Sequence, residues 1–410
     1  MKCRHCATAL DETRDVFIDL GAAPPSNAFL RAEDLGRAEA HFPLKVLTCP
    51  ECRLVQVDEL QRHDALFSND YVYFSSYSSS WLAHARRYVD QVAERLSLNR
   101  DSLVLEVASN DGYLLQYVAA RGIPCVGIEP TAGTAEAARA KGIETIGEFF
   151  GTAFAQRFAA ARKRADLVLG NNVLAHVPDI NDVVGGLREA LAPGGTVTVE
   201  FPHLLQLVRH GQFDTIYHEH FSYLSLHTVQ RIFAAQGLAV WDVETLPTHG
   251  GSLRVWAQHQ ANPRPIELRV AELLREEVAA GMRGADFYRG LQARADTIKN
   301  DLLAFLIEQK RACKTVAGYG AAAKGNTLLN YAGVRPDLLP FVVDASPHKQ
   351  GRFLPGSRIP VLAPEALKAC CPDFVLILPW NLREEIAAGQ AAVRGWGGRF
   401  VTAVPELQVF

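Results

Sequence analysis

The sequence predicts an α/β protein in three parts: a small cysteine-held module followed by two doubly wound units. Three observations carry that expectation. Apolar, strand-length runs alternate with helical patterns between residues 103 and 201. A second alternation of the same kind starts at Thr315. Two C-x-x-C pairs, Cys3 with Cys6 and Cys49 with Cys52, precede both. Strands that alternate with helices build a parallel sheet covered on both faces. Such a sheet takes ligands beyond the carboxyl ends of its strands.

Composition narrows the class of protein. A chain of 410 residues has room for two to three domains at roughly 150 residues each. The 42 basic and 45 acidic residues give a net charge of −3, which argues against a nucleic-acid partner, since such proteins carry a basic excess. Mean hydropathy is +0.00, and no run approaches the ~18–20 apolar residues of a membrane helix. Arg4, His5 and Asp11 interrupt the start before a signal-peptide core can form. A cytoplasmic protein with no membrane partner is expected.

Four of the eight cysteines form the two leading pairs. Each C-x-x-C sets two thiolates on one tight turn, and two such turns offer four soft ligands in a tetrahedron, which suits Zn²⁺. A redox pair or two disulfides are the alternatives, disfavoured without a secretory signal. With four thiolates no position stays open for water, so the metal is expected to be structural. His5 is a further ligand candidate. Cys125 reads as core; Cys313, Cys370 and Cys371 have no partner spacing.

Residues 1–70 read as loop-rich, with short apolar runs at 42–46 and 54–57. Residues 71–80 form an aromatic and hydroxyl cluster, and a helix is predicted over 81–96. Strands follow at 103–107, 124–128, 144–146, 165–169 and 196–201, with helices at 113–120, 134–141 and 180–191. Beyond a polar, aromatic stretch come a helix at 227–236, strands at 239–243 and 252–257, and one long helical pattern over 266–309. The last alternation has strands at 315–317, 338–344 and 374–379 and a helix at 324–331.

The turn after the first strand, Glu106-Val-Ala108-Ser-Asn110-Asp111-Gly112, is not G-x-G-x-x-G, so a dinucleotide pyrophosphate cradle is not indicated. Small residues such as Ala108 and Gly112 still admit a ligand to the backbone. Glu106 and Asp111 place carboxylates beside an incoming cation. S-adenosylmethionine carries an ammonium and a sulfonium, so acidic lining suits it. Glu129 ends the second strand, where an acid can accept both ribose hydroxyls. Glu148, after the third strand, is placed to face the adenine edge. Asn171 and Asn172 end the fourth strand, near the expected methyl position. A nicotinamide dehydrogenase is the rival reading.

The stretch Tyr217-His218-Glu219-His220-Phe221-Ser222-Tyr223 packs two histidines, a glutamate and two tyrosines together. On a strand, His218 and His220 would share a face with Glu219 opposite. The spacing does not match a helical zinc motif. An acid/base role fits better, because an imidazole beside a carboxylate titrates near neutrality and can take a proton from an activated carbon. A polar surface loop is the plainer alternative. His176, in Asn171-Asn172-Val-Leu-Ala-His176, is a second candidate.

These motifs together resemble the three-domain nucleotide-sugar C-methyltransferases, including the 3-C-methyltransferases of deoxysugar pathways. The cysteine pairs, Tyr71-Val-Tyr-Phe-Ser-Ser, the 106–112 loop, the 171–176 segment, Tyr217 to His220 and Gly318-Tyr319-Gly320 through Lys324 to Thr327 carry the likeness over the whole chain. The resemblance implies a zinc-binding domain over 1–70, a central Rossmann-like S-adenosylmethionine methyltransferase domain over 71–260, and a C-terminal Rossmann-like sugar-nucleotide-binding domain over 261–410. It implies a nucleotide-linked 4-keto-6-deoxy sugar, dTDP or GDP, as substrate, and a monomer or homodimer. His220 is then the base at C3, Tyr217 and Glu219 orient base or sugar, and His176 and Tyr71 line the pocket. His218, Tyr223, Tyr319 and Lys324 are expected on the substrate. Amides at a helix start favour a pyrophosphate and Lys324 adds charge; Asp344 leaves NAD(P) as a rival ligand there. O- or N-methylation, or an inactive zinc-containing binding module, are the alternative functions.

Overall fold

The computed structural model describes residues 1–59 and 74–410. Tyr71, and with it the start of the aromatic and hydroxyl run, lies outside the described residues. The chain forms two compact units.

The first unit comprises Met1–Asp15, Thr48–Leu205 and Phe221–Phe287. Its core is a seven-stranded sheet in the order Leu238–Leu246, Ser252–His259, Leu191–Pro202, Ala165–Asn171, Val104–Val107, Cys125–Ile128, Thr145–Ile146. The last five of these run parallel, as the alternation predicted. Ser252–His259 and Leu238–Leu246 are antiparallel additions at one edge, joined by a short turn that a parallel crossover would not allow. Val104–Val107 is buried along its whole length, as expected of a sheet covered on both faces.

Helices clothe that sheet through local signals. Ser78 accepts the Trp81 N–H at 3.2 Å and starts the helix Ser79–Arg95. That helix buries His84, Ala85, Tyr88, Val89, Val92 and Ala93, a single helical stripe. Asp179 and Ser225 cap Ile180–Ala190 and Leu226–Ala235 in the same way, satisfying otherwise orphaned amides. The single helix expected over 266–309 is instead two, Leu268–Ala279 and Leu291–Arg311. Gly281, at φ +88°, breaks the pattern, because a left-handed glycine ends a helix without steric cost.

The second unit comprises Val16–Leu47, Gln206–His220 and Tyr288–Phe410. Its sheet has the order Val361–Leu362, Val342–Val343, Val316–Tyr319, Phe374–Ile377, Arg399–Thr402, Gln408–Val409. All neighbours are parallel except the last pair. Between the two cysteine pairs, Val16–Ala23 and Phe42–Thr48 form an antiparallel ribbon. Among the described residues, no helix is long and apolar enough to cross a membrane.

Candidate active site and metal centre

The two cysteine turns have one geometry. Ala7 N–H donates to Cys3 O at 2.9 Å and Arg53 N–H to Cys49 O at 3.0 Å. Ala7 and Arg53 sit at φ +60° and +62°, so each turn curls back over its first cysteine. The Cys3–Cys52 and Cys6–Cys49 sulfurs are each 3.5 Å apart, and all four lie within 4.8 Å of one another. Sulfurs at ~2.3 Å from a tetrahedral zinc stand roughly 3.8 Å apart, so the residues fit the ion. Gln56 adds an N–H to Cys3 Sγ at 3.3 Å, and its own carbonyl is fixed by the Arg4 N–H at 2.9 Å. Such outer contacts orient ligands. His5 instead pairs its Nδ1 with Asn181 at 2.8 Å.

The loop after Val104–Val107 is wound tightly. Ala108, Asn110 and Gly112 have φ of +51°, +51° and +73°, a left-handed conformation costly for alanine. Glu129 holds the loop in place: its carboxylate accepts the Asn110 N–H and the Thr131 N–H, each at 2.9 Å. Gly127 lets the neighbouring strand approach, since a Cβ there would stand 2.3 Å from Ser109 Oγ. Ser75 N–H donates to Asn110 Oδ1 at 2.9 Å, and Lys141 bridges Ser76 and Asp111. The end of the aromatic and hydroxyl run therefore packs on this loop.

Several buried polar atoms at this sheet edge have no ordinary partner among the described residues. Ser109 Oγ, Asp111 Oδ1 and both amide atoms of Asn171 are of this kind. Burial drives the Glu106 carboxyl well above its ordinary range; the Tyr113 hydroxyl offsets this only in part, and Glu129 and Asp111 add to the rise. Burial also raises Glu129. Buried polar groups are normally satisfied, so these are the groups that could hold a ligand at this edge. An incoming ammonium would relieve the crowded carboxyls.

In the second unit, Tyr217 to His220 is a turn following the short 3-10 helix Phe213–Thr215, not a strand. His218 and His220 therefore do not share a strand face. His220 Nδ1 donates to Thr215 O at 2.8 Å, which leaves Nε2 as the acceptor of the Tyr217 hydroxyl at 2.7 Å. The tautomer follows from the carbonyl, which can only accept. His218 Nε2 faces the Phe42 and Pro43 carbonyls at 3.2 and 3.3 Å. Asn27 donates to both Glu219 oxygens at 2.9 and 2.8 Å.

Three family models match the chain. "C-methyltransferase C-terminal domain" covers residues 247–405, "Methyltransferase domain" 81–243, and "Putative zinc binding domain" 3–67. The C-methyltransferase NovU of Streptomyces niveus is 37% identical over 408 residues, spanning 100% of this chain and 96% of NovU. The chain belongs to the C-methyltransferase family. Solved structures similar to it include the Synechocystis magnesium protoporphyrin IX methyltransferase with bound SAM (14% identity, 42% of this chain, 78% of that one, TM-score 0.32). The CcbJ methyltransferase of Streptomyces caelestis is another (15%, 43% and 89%, TM-score 0.35).

This C-methyltransferase thus uses S-adenosylmethionine on its Rossmann-like sheet and carries a four-cysteine zinc site. Glu106, Ala108, Asn110, Gly112, Glu129, Asn171 and Asn172 gather at one sheet edge, together with Ser109 of the same loop. Glu148 stands exposed and pairs with Arg157 at 2.5 Å. His176 lies in the 3-10 helix Leu174–His176 of the first unit, which also holds Tyr223 on the short strand Ser222–Tyr223.

At the C-terminal turn, Asp344 already accepts the Ala321 N–H at 2.7 Å, so that amide is engaged by a side chain. Lys324 Nζ donates to Asn381 Oδ1 at 2.6 Å and lies 4.7 Å from the Trp380 ring centre. Tyr319 closes the strand beside it. Asp214, fully buried, accepts from Trp380 Nε1 at 2.7 Å and was not foreseen. Nor was Asn27: nothing local in the sequence links it to Glu219.

Burial pushes Glu219 up to about 7 and Asp214 to about 6. Their ordinary values are 4.5 and 3.8, so the folded chain keeps protons that the unfolded chain releases. Stability therefore falls as pH rises from about 4 to about 7. Urea unfolding across that window should show a shallower fall for Glu219→Gln; an unchanged slope would exclude Glu219 as a source.

Proposed function

We propose that this C-methyltransferase methylates C3 of a nucleotide-linked 4-keto-6-deoxy sugar, with His220 taking the C3 proton. The observation that carries the proposal is the fixed tautomer of His220. Its Nδ1–H is committed to Thr215 O, so the lone pair sits on Nε2 beside the Tyr217 hydroxyl. A neutral imidazole in that state is ready to accept a proton without first losing one.

The step balances simply. The C3–H bond breaks, the proton goes to His220 Nε2, and the electron pair spreads onto the 4-oxygen as an enolate. Tyr217, released from Nε2, turns its O–H to that oxygen where the charge develops. Bound S-adenosylmethionine supplies an electrophilic methyl group for the carbanion. Glu219, kept part-protonated by burial and steered by Asn27, holds a sugar hydroxyl. Tyr71, His176, His218 and Tyr223 are assigned to the sugar, and Tyr319 and Lys324 to the diphosphate. Residues 1–70, 71–260 and 261–410 then serve as metal, methyl-donor and sugar-nucleotide segments.

Glu129 is assigned to the ribose of the donor and also secures the loop. Glu129→Ala should weaken S-adenosylmethionine binding by about 10- to 100-fold, the scale of losing hydrogen bonds to a charged group. Isothermal titration checks it, and unchanged affinity would remove Glu129 from the site. The substrate class is tested by incubating dTDP- and GDP-linked 4-keto-6-deoxy sugars with enzyme and donor. The expected product gains one methylene by mass on carbon. A methyl found on oxygen or nitrogen would support the alternative chemistry, and no product from any such sugar would overturn the assignment.

A further inference from the structure

A buried polar network ends at the methyl-donor edge of the first unit, on a residue that no motif singled out. Glu200, fully buried, accepts from Thr248 Oγ1 at 2.9 Å, Arg254 Nη2 at 2.8 Å and His84 Nε2 at 2.9 Å. Its backbone carbonyl takes the Asn172 N–H at 2.7 Å. Thr248 opens the short turn Thr248–Gly250, in which His249 has φ +53°. Gly251 N–H closes the turn on Thr248 O at 2.9 Å. Asn172 is also left-handed, at φ +56°. Two non-glycine residues in this region each cost on the order of 1–3 kcal/mol and persist only where surroundings enforce them.

The two strained residues meet. Asn172 Nδ2 lies 3.1 Å from His249 Nε2, the amide N–H donating to the ring's lone pair. Asn172 Oδ1 is left buried with no hydrogen-bond partner among the described residues. Trp81 backs the imidazole, its ring centre 5.2 Å from that of His249 and 5.0 Å from that of His84.

We propose that His249 is a positioning residue for methyl transfer: it takes the Asn172 amide N–H and so turns the carboxamide oxygen toward the sulfonium of the methyl donor. This rests on the reading that Asn171 and Asn172 line the methyl-bearing end of the donor. A sulfonium is a cation with electron-poor methyl hydrogens, and an oriented carbonyl dipole stabilises it. An amide turned the other way would present an N–H to a positive group. The demethylated product, S-adenosylhomocysteine, has an uncharged thioether sulfur that gains nothing from that dipole. The device therefore acts on the ratio of the two affinities.

The test is titration of both ligands into the full chain carrying His249→Leu, His249→Gln or Asn172→Ser, with thermal melting as the check of folding. His249→Leu frees the amide to rotate, so S-adenosylmethionine should weaken by about three- to tenfold, the scale of one oriented hydrogen-bonding group, while S-adenosylhomocysteine stays within about twofold. His249→Gln, whose side-chain oxygen can take the same N–H, should restore most of the ratio. Asn172→Ser approaches the same bond from its other end and should lower the ratio even if the leucine protein fails to fold. Equal loss of both ligands, an unchanged ratio in the leucine and serine proteins, or a glutamine protein no better than leucine would overturn the proposal. The Glu129→Ala protein, expected to lose both ligands together, tests the pocket separately.

Discussion

The His220→Ala protein should bind S-adenosylmethionine as the parent does and turn over about 10²–10⁴-fold more slowly, the usual scale for a lost acid/base group. Cofactor affinity is expected to survive because the acidic and amide groups assigned to the donor all belong to the first unit, while His220 lies in the second. Turnover should collapse because neither neighbouring candidate, Glu219 or His218, is poised in the same way. Glu219 is adjacent in sequence but is held by both amide contacts from Asn27. His218 presents its Nε2 to two backbone carbonyls. Tyr217→Phe should cost less, since it removes an enolate donor and leaves the base in place. Steady-state turnover beside cofactor titration decides the matter, and normal turnover in the alanine protein would remove His220 from the role.

Withdrawing zinc should have an effect of similar size on stability. Structural zinc contributes apparent binding energies of about 10–16 kcal/mol in small fingers, against a typical total stability of about 5–15 kcal/mol for a domain. The cysteine turns are also tied to the rest of the first unit. Arg4 Nη1 donates to Pro178 O at 2.6 Å, Asn181 Nδ2 to His5 O at 2.8 Å, and Arg231 Nη1 to Glu51 O at 2.9 Å. Pro178 and Asn181 follow closely on Asn172, so disorder in the turns reaches the methyl-donor edge. Chelation or Cys49→Ser should lower the melting temperature by at least about 10 °C and weaken donor binding. A metal-free protein with an unchanged melting curve would contradict a structural role.

The parallel core was legible in the sequence because buried strands read as continuous apolar runs and glycine-bearing turns separate them from helices. The cysteine geometry was legible for a similar reason: C-x-x-C fixes ligand spacing within one turn. What escaped was set by distant pairing. Residues 239–243 read correctly as strand, but nothing local says that Leu238–Leu246 runs antiparallel to its neighbour. The stretch 217–220 alternates like a strand, yet Thr215 O captures the His220 ring and folds it as a turn. The link between Asn27 and Glu219 joins residues 192 apart. His249 was not singled out from the sequence, although a histidine before two glycines, between two strand patterns, was a signal of unusual backbone.

The central claim, that His220 ionises a carbon next to a ketone, is tested most directly by hydrogen exchange without any methyl donor. A nucleotide-linked 4-keto-6-deoxy sugar incubated with the enzyme in heavy water should take up one deuterium at C3, read by mass spectrometry and proton NMR. The His220→Ala protein should leave that hydrogen in place over the same period. Exchange at C3 that proceeds equally well in the alanine protein, or C-methylated product formed by a parent enzyme that never exchanges the C3 hydrogen, would contradict the account.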